Sequence, residues 1–178
     1  MSLIKTNAIQ TITGKPILNS TGSILQVVYG ENTSQFILNV AASYQIYYSV
    51  NVTATASNSK YFLNGFFTGF STPLAGTYAR SNIGYSVTIG GVTTRILGVD
   101  GYPSGDSWSV TSGAKDSSGA LMTAGSLHNR PVVYTSTASA GTVLTFNLLA
   151  AAFDTVPVTI TLAGYGQKSG FTIMEVSA

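Results

Sequence analysis

Six carboxylates and one imidazole are the side chains in 178 residues whose ordinary pKa lies below 7: Glu31, Asp100, Asp106, Asp116, Asp154, Glu175 and His128. Cleavage of a glycosidic bond needs two facing carboxylates. Only Asp100 and Asp106, in VDGYPSGDSW, could supply them, and only if their loop folds favourably. Aspartates beside Gly and Pro more often stabilise turns, and that is the reading preferred for both. A Ca²⁺ site in the same loop would have few charged oxygens to offer. His128 stands alone in SLHNRP and reads as a loop residue, so a multi-histidine metal site would need several copies around a symmetry axis. Cysteine is absent, which removes thiolate nucleophiles, thiolate metal sites and disulfides together.

Two motifs come close to known chemistry and miss it. In GYPSGD, Ser104 is misplaced for a GxSxG nucleophile elbow. In GYGQKSGFT, Gln167 replaces the glycine expected before the lysine, and the following FTIMEV reads as a strand and not as the helix whose N-terminus would bind phosphate. The expectation is a protein without catalytic residues, bound metal or cofactor. One binding feature stays open: Tyr102 and Trp108 lie in a Gly-, Ser- and Asp-rich loop, and such rings can form a platform on which sugars stack.

The elements that would carry these residues are strands. From Ile46 to Ala56 the chain alternates, with Ile46, Tyr48, Val50, Val52 and Ala54 on one side and polar residues and Tyr47 on the other, a period of two with one buried face. YFLNGFFTGF continues the β character, and GYSVTIGGVTTRIL places Gly90-Gly91 where a tight hairpin needs positive φ. SWSVTS, PVVYTST, TVLTFNLL, PVTITLAGY and FTIMEV read as further strands, and LLAAAFD as one helical turn at most. These features predict an all-β chain folded as one antiparallel two-sheet sandwich of the jelly-roll type over residues 31–178.

Residues 1–30 do not fit that pattern. Gly14, Pro16 and Gly22 interrupt them, and Pro16 has no N–H to give to a ladder. The segment reads as an extended N-terminal arm, with Ile9, Ile12, Pro16, Ile17, Leu18, Ile24 and Leu25 as the residues that would dock on a partner by lying along a sheet edge.

Composition narrows the class of function. Charged residues are 8% of the chain, hydrophobic ones 44%, and the formal net charge is +2. The eight Lys and Arg are scattered singly, without the clustered basic face that nucleic-acid binding needs. The N-terminus MSLIKTNAIQ lacks the pattern of a signal peptide, and no apolar run approaches the length of a membrane span, so synthesis in a cytoplasm without membrane insertion is expected.

IQTITGKPILNSTGSILQVV, together with the closing FTIMEV, resembles virion structural proteins of tailed bacteriophages, particularly those of cyanobacterial and marine hosts. The more specific stretch is GKPILNSTGSILQVV, Gly14 to Val28; the two end motifs cover about a sixth of the chain. The resemblance implies a non-enzymatic virion component made in the host cytoplasm. A homotrimeric capsid cement or decoration protein comes first, docked by its arm on the major capsid protein or another virion protein. The alternative is a receptor-binding tail- or head-fibre tip that contacts host-surface glycan. The absence of a heptad repeat or long repetitive shaft favours the first.

Overall fold

The computed structural model describes residues 22–38, 43–72, 79–97, 109–111, 125–152, 159–162 and 168–178. Every regular element among them is a strand: β1 Ile24–Asn32, β2 Phe36–Leu38, β3 Ser43–Thr53, β4 Lys60–Thr72, β5 Ala79–Ile89, β6 Val92–Leu97, β7 Ser109–Thr111, β8 Gly125–Thr135, β9 Val143–Ala152, β10 Thr159–Leu162 and β11 Ser169–Val176.

All pairings are antiparallel and make two sheets. In the first, β11 pairs with residues 60–66 of β4, β10 pairs with residues 69–72 of the same strand, and β8 pairs with β4 as well. β1 lies outside β11, and β2 lies outside β10. Thus β1 and β2 share one strand position, and β10 and β11 share the next. In the second sheet β3, β9 and β5 are neighbours, and β6 and β7 pair with different lengths of β5. Each sheet is therefore four positions wide. Numbered along the chain, the positions run 1-8-3-6 in one sheet and 2-7-4-5 in the other, the winding of a jelly roll. The predicted fold class is the one the chain adopts.

The core lies between the sheets and explains why these strands stay together. Tyr61, Leu63, Phe171 and Ile173 from the first sheet meet Tyr85, Val87, Leu144, Phe146 and Leu148 from the second, all nearly or wholly buried. The Tyr85 ring stacks on Phe171 at 5.6 Å and the Tyr61 ring tilts against Phe146 at 5.0 Å. The Tyr85 phenol also ties the layers by hydrogen bonds, accepting from the Gly65 N–H at 2.8 Å and donating to the Arg130 carbonyl. Burial pushes its pKa up to about 12, so it stays a neutral donor.

Gly65 is what allows that ring to lie so close to β4. A Cβ there would fall 2.5 Å from Leu148 Cδ1 and 3.2 Å from Tyr85 Cε1, inside a core with no slack. Gly65→Ala is expected to cost about 1–3 kcal/mol by overpacking, read as a lower midpoint in urea unfolding; an unchanged midpoint would contradict the packing described.

Gly90 and Gly91 have φ of +56° and +84° and join Ile89 to Val92, the expected tight hairpin with both central residues left-handed. Three expectations need correction. β3 carries a bulge between Ile46 and Tyr48, so Tyr47 is buried while Ile46 is 55% exposed; the extra residue shifts the face that simple alternation assigns. The stretch read as a helical turn is strand through Ala152. His128 lies within β8 opposite Phe67, not in a loop.

The arm requires the largest revision. The boundary expected between Gly30 and Glu31 falls inside β1, whose residues pair with β11 from Ile24↔Val176 to Asn32↔Ser169. Ile24 and Leu25 thus belong to a ladder strand of the sandwich. Ile9, Ile12, Pro16, Ile17 and Leu18 lie outside the described residues.

Candidate interaction face

The strands of the first sheet have apolar residues on both faces, and register sorts them. Val28, Ile173, Leu63 and Val132 are cross-strand neighbours that face the core. One residue away, Val27 pairs with Met174, Met174 with Phe62, and Phe62 with Val133, making an apolar row across β1, β11, β4 and β8 on the outer face. Val27 is 57% exposed, Phe62 45% and Val133 49%. A second row runs Tyr29, Thr172, Asn64 and Pro131. A shallow groove lined by Phe62, Asn64, Pro131 and Val133 crosses both rows. Isolated surface aliphatics are ordinary, but a contiguous apolar row across a whole sheet marks a contact surface.

The opposite outer face, on the second sheet, is built differently. Ser49 Oγ donates to Asn147 Oδ1 at 2.7 Å, and Asn147 Nδ2 donates to Ser86 Oγ at 3.0 Å. Thr145 Oγ1 donates to Asn51 Oδ1 at 2.8 Å, and the Thr88 and Thr93 hydroxyls lie 2.8 Å apart. This hydroxyl and amide ladder satisfies its own polar groups. Beside it Tyr44, Leu149 and Ala151 form a small buried cluster, with the Arg95 guanidinium 5.2 Å from the Tyr44 ring centroid. Ser86 and Asn147 in this ladder are buried, as are Tyr44, Leu149 and Ala151 beside it, so much of that face is covered, whereas the first sheet leaves Val27, Phe62 and Val133 exposed.

Of the carboxylates, Glu31 and Glu175 are among the described residues, and each has a structural occupation. Glu175 is fully buried and accepts from Gln26 Nε2, the Thr55 N–H at 2.9 Å, the Ala56 N–H at 3.2 Å and Ser59 Oγ at 2.7 Å. Burial pushes its carboxyl up, but these hydrogen bonds outweigh that and hold it below the ordinary glutamate range. It thereby joins β1, β11 and the turn between β3 and β4. Exposed Glu31 accepts from Lys168 Nζ at 3.0 Å and from the Tyr29 phenol at 3.2 Å, and the lysine first, then the phenol, lowers its pKa. Among the described residues no three His, Asp or Glu side chains gather where a metal could be held. Asp100, Asp106, Tyr102 and Trp108 lie outside the described residues.

The point where the chain enters the sandwich is fixed. The Gly22 N–H donates to the Ser177 carbonyl at 3.0 Å, the Ser177 N–H donates to the Ser23 carbonyl at 2.9 Å, and the Ser23 N–H donates to Ser177 Oγ at 3.1 Å. These bonds tie residues 22 and 23 to the end of β11, and Gly22, with a φ of +85°, turns the chain just before β1. Sequence reasoning missed the apolar outer face, although YFL at Tyr61–Leu63 and PVV at Pro131–Val133 signal it by placing apolar residues in both phases of a strand.

No family model matches this chain, and no curated protein does. Among solved structures, infectious bursal disease virus, Gt strain, aligns over 96% of this chain and 45% of the other at 14% identity, with a TM-score of 0.26. The VP2 subviral particle of infectious bursal disease virus aligns over 95% and 46% at 16% identity, also with a TM-score of 0.26. The chain spans about half the length of those it aligns with. At that TM-score the superpositions are too loose to bear on function, and the fold rests on the strand order itself.

Proposed function

We propose that this chain is a non-enzymatic virion structural protein, a homotrimeric cement or decoration protein of a bacteriophage capsid that attaches through the segment before Gly22. The observation that carries this reading is a jelly roll with an exposed apolar row across the outer face of one sheet, near the point where a segment rich in isoleucine and leucine joins it. Jelly rolls serve in capsids and in lectins alike, so the fold permits a virion role without choosing it. The resemblance of Gly14–Val28 and Thr172–Val176 to phage virion proteins supplies the choice. The buried, fully bonded Glu175 and the paired Glu31 support a scaffold more than a catalyst.

The test is incorporation. Phage particles assembled with the full chain are expected to carry it in fixed proportion to the major capsid protein, and a chain lacking residues 2–21 is expected to be lost from purified particles. Absence of the full chain from particles would overturn the reading.

A further inference from the structure

We propose that the apolar row Val27–Met174–Phe62–Val133 is the surface on which three copies of this chain meet, the first sheets of the three sandwiches closing a triangular core around a common axis. This rests on the trimeric reading above and leaves the segment before Gly22 to the capsid.

Width, profile and charge support it. The first sheet is four strand positions wide, about 19 Å at the usual strand spacing. Three such sheets set as the sides of a triangle lie about 5.5 Å from its centre, close to half the roughly 10 Å at which sheets pack face to face. Four would stand about 9–10 Å from the axis and leave a hole. The space inside a triangle is deepest over the middle of each side and narrows towards the corners. The row has that profile: Met174 and Phe62 occupy the two central positions, and the smaller Val27 and Val133 the margins. Tyr29, on marginal β1, follows it too, because its phenol reaches inward over Gly170 of β11, where a Cβ would fall 2.8 Å from the phenol oxygen. A two-fold stack of flat faces has uniform depth and does not call for this gradation. Charge is confined to the ends of the face, with Lys60 before Phe62 on β4 and the Glu31–Lys168 pair beyond Tyr29. An apolar centre with a polar rim is the anatomy of a subunit interface. Pro131 in edge strand β8 has no N–H, which blunts the pairing of sheets edge to edge.

The chain has no cysteine, so introduced pairs report cleanly. Within one copy Val27 and Val133 lie three strand spacings apart, about 14 Å, beyond the roughly 7 Å that a disulfide spans between Cα atoms. At each corner of the triangle Val27 of one copy meets Val133 of the next. The full-length Val27→Cys/Val133→Cys protein, mildly oxidised, is therefore expected to run as a covalent trimer on a non-reducing gel. Phe62→Asp is expected to lower the mass by light scattering threefold with its far-ultraviolet circular dichroism unchanged, while Val92→Asp, at an exposed valine of the β5–β6 hairpin, leaves the trimer intact. A covalent dimer, the absence of any cross-link, or a Phe62→Asp protein that remains a trimer would each overturn the proposal. A wild type that is itself a monomer would sink the trimeric reading together with this surface, whereas a wild-type trimer that fails these tests sinks the surface alone. A cross-linked trimer missing from particles would leave the proposal standing and sink only the virion role.

Discussion

Deleting residues 2–30 is expected to abolish cooperative unfolding, whereas deleting residues 2–21 leaves a domain that melts in one transition. The longer deletion removes the whole start of β1, from Ile24 to Gly30, and its ladder with β11. It also removes Val28, which packs on the core, and Gln26, which covers the buried Glu175 carboxylate. One aliphatic side chain of this kind contributes about 1.5–3 kcal/mol, and the exposed edge of β11 and the uncovered carboxylate add to the loss. Domains of this size have only about 5–15 kcal/mol in total. The shorter deletion stops just before the Gly22 and Ser23 bonds to Ser177 and spares all of these. Circular dichroism melts of the two truncations check this; two similar cooperative melts would mean that β1 is dispensable.

The second large effect is expected at Glu175. Replacing it by Ala leaves the Thr55 and Ala56 N–H groups and the Ser59 hydroxyl without their acceptor. Each buried donor left unsatisfied costs about 1–3 kcal/mol, so Glu175→Ala should lose about 3 kcal/mol or more. The pH dependence follows from the direction of the shift. The folded carboxyl titrates below the ordinary value of 4.5, so its contribution is complete above that value and is lost as pH falls through the folded pKa. Between neutral pH and about pH 4.5 the difference between wild type and Glu175→Gln should stay constant, and below it the two stabilities should converge. Melting temperatures from pH 7 to pH 3 read this directly, and parallel curves throughout would contradict it.

Local chemistry made some of the fold legible in the sequence. Gly90-Gly91 between alternating runs leaves few options but a tight hairpin, and alternation in TVLTFNLL marks a strand with one core face. Other features depend on partners far along the chain. β1 reads as an arm because its flanking glycines interrupt it and its partner, β11, lies at the other end of the sequence. The bulge at Tyr47 is set by β9 and cannot be counted from β3 alone. Glu175 gave a usable signal, a lone acid in the apolar run FTIMEV, because a buried carboxylate needs several donors around it. The interaction face was missed: Phe62 and Val133 break the alternation of their strands, but only the register shows that they adjoin each other and Met174 and Val27. Asp100 and Asp106, read as turn residues, and the aromatic platform considered at Tyr102 and Trp108 lie outside the described residues.

The most direct measurement is a cryo-electron microscopy map of the intact phage particle at a resolution that separates strands. The account predicts three copies of this jelly roll around each occupied symmetry axis of the capsid surface, with the segment before Gly22 of each copy in contact with the capsid. A map that places the chain at the distal end of a fibre would contradict it.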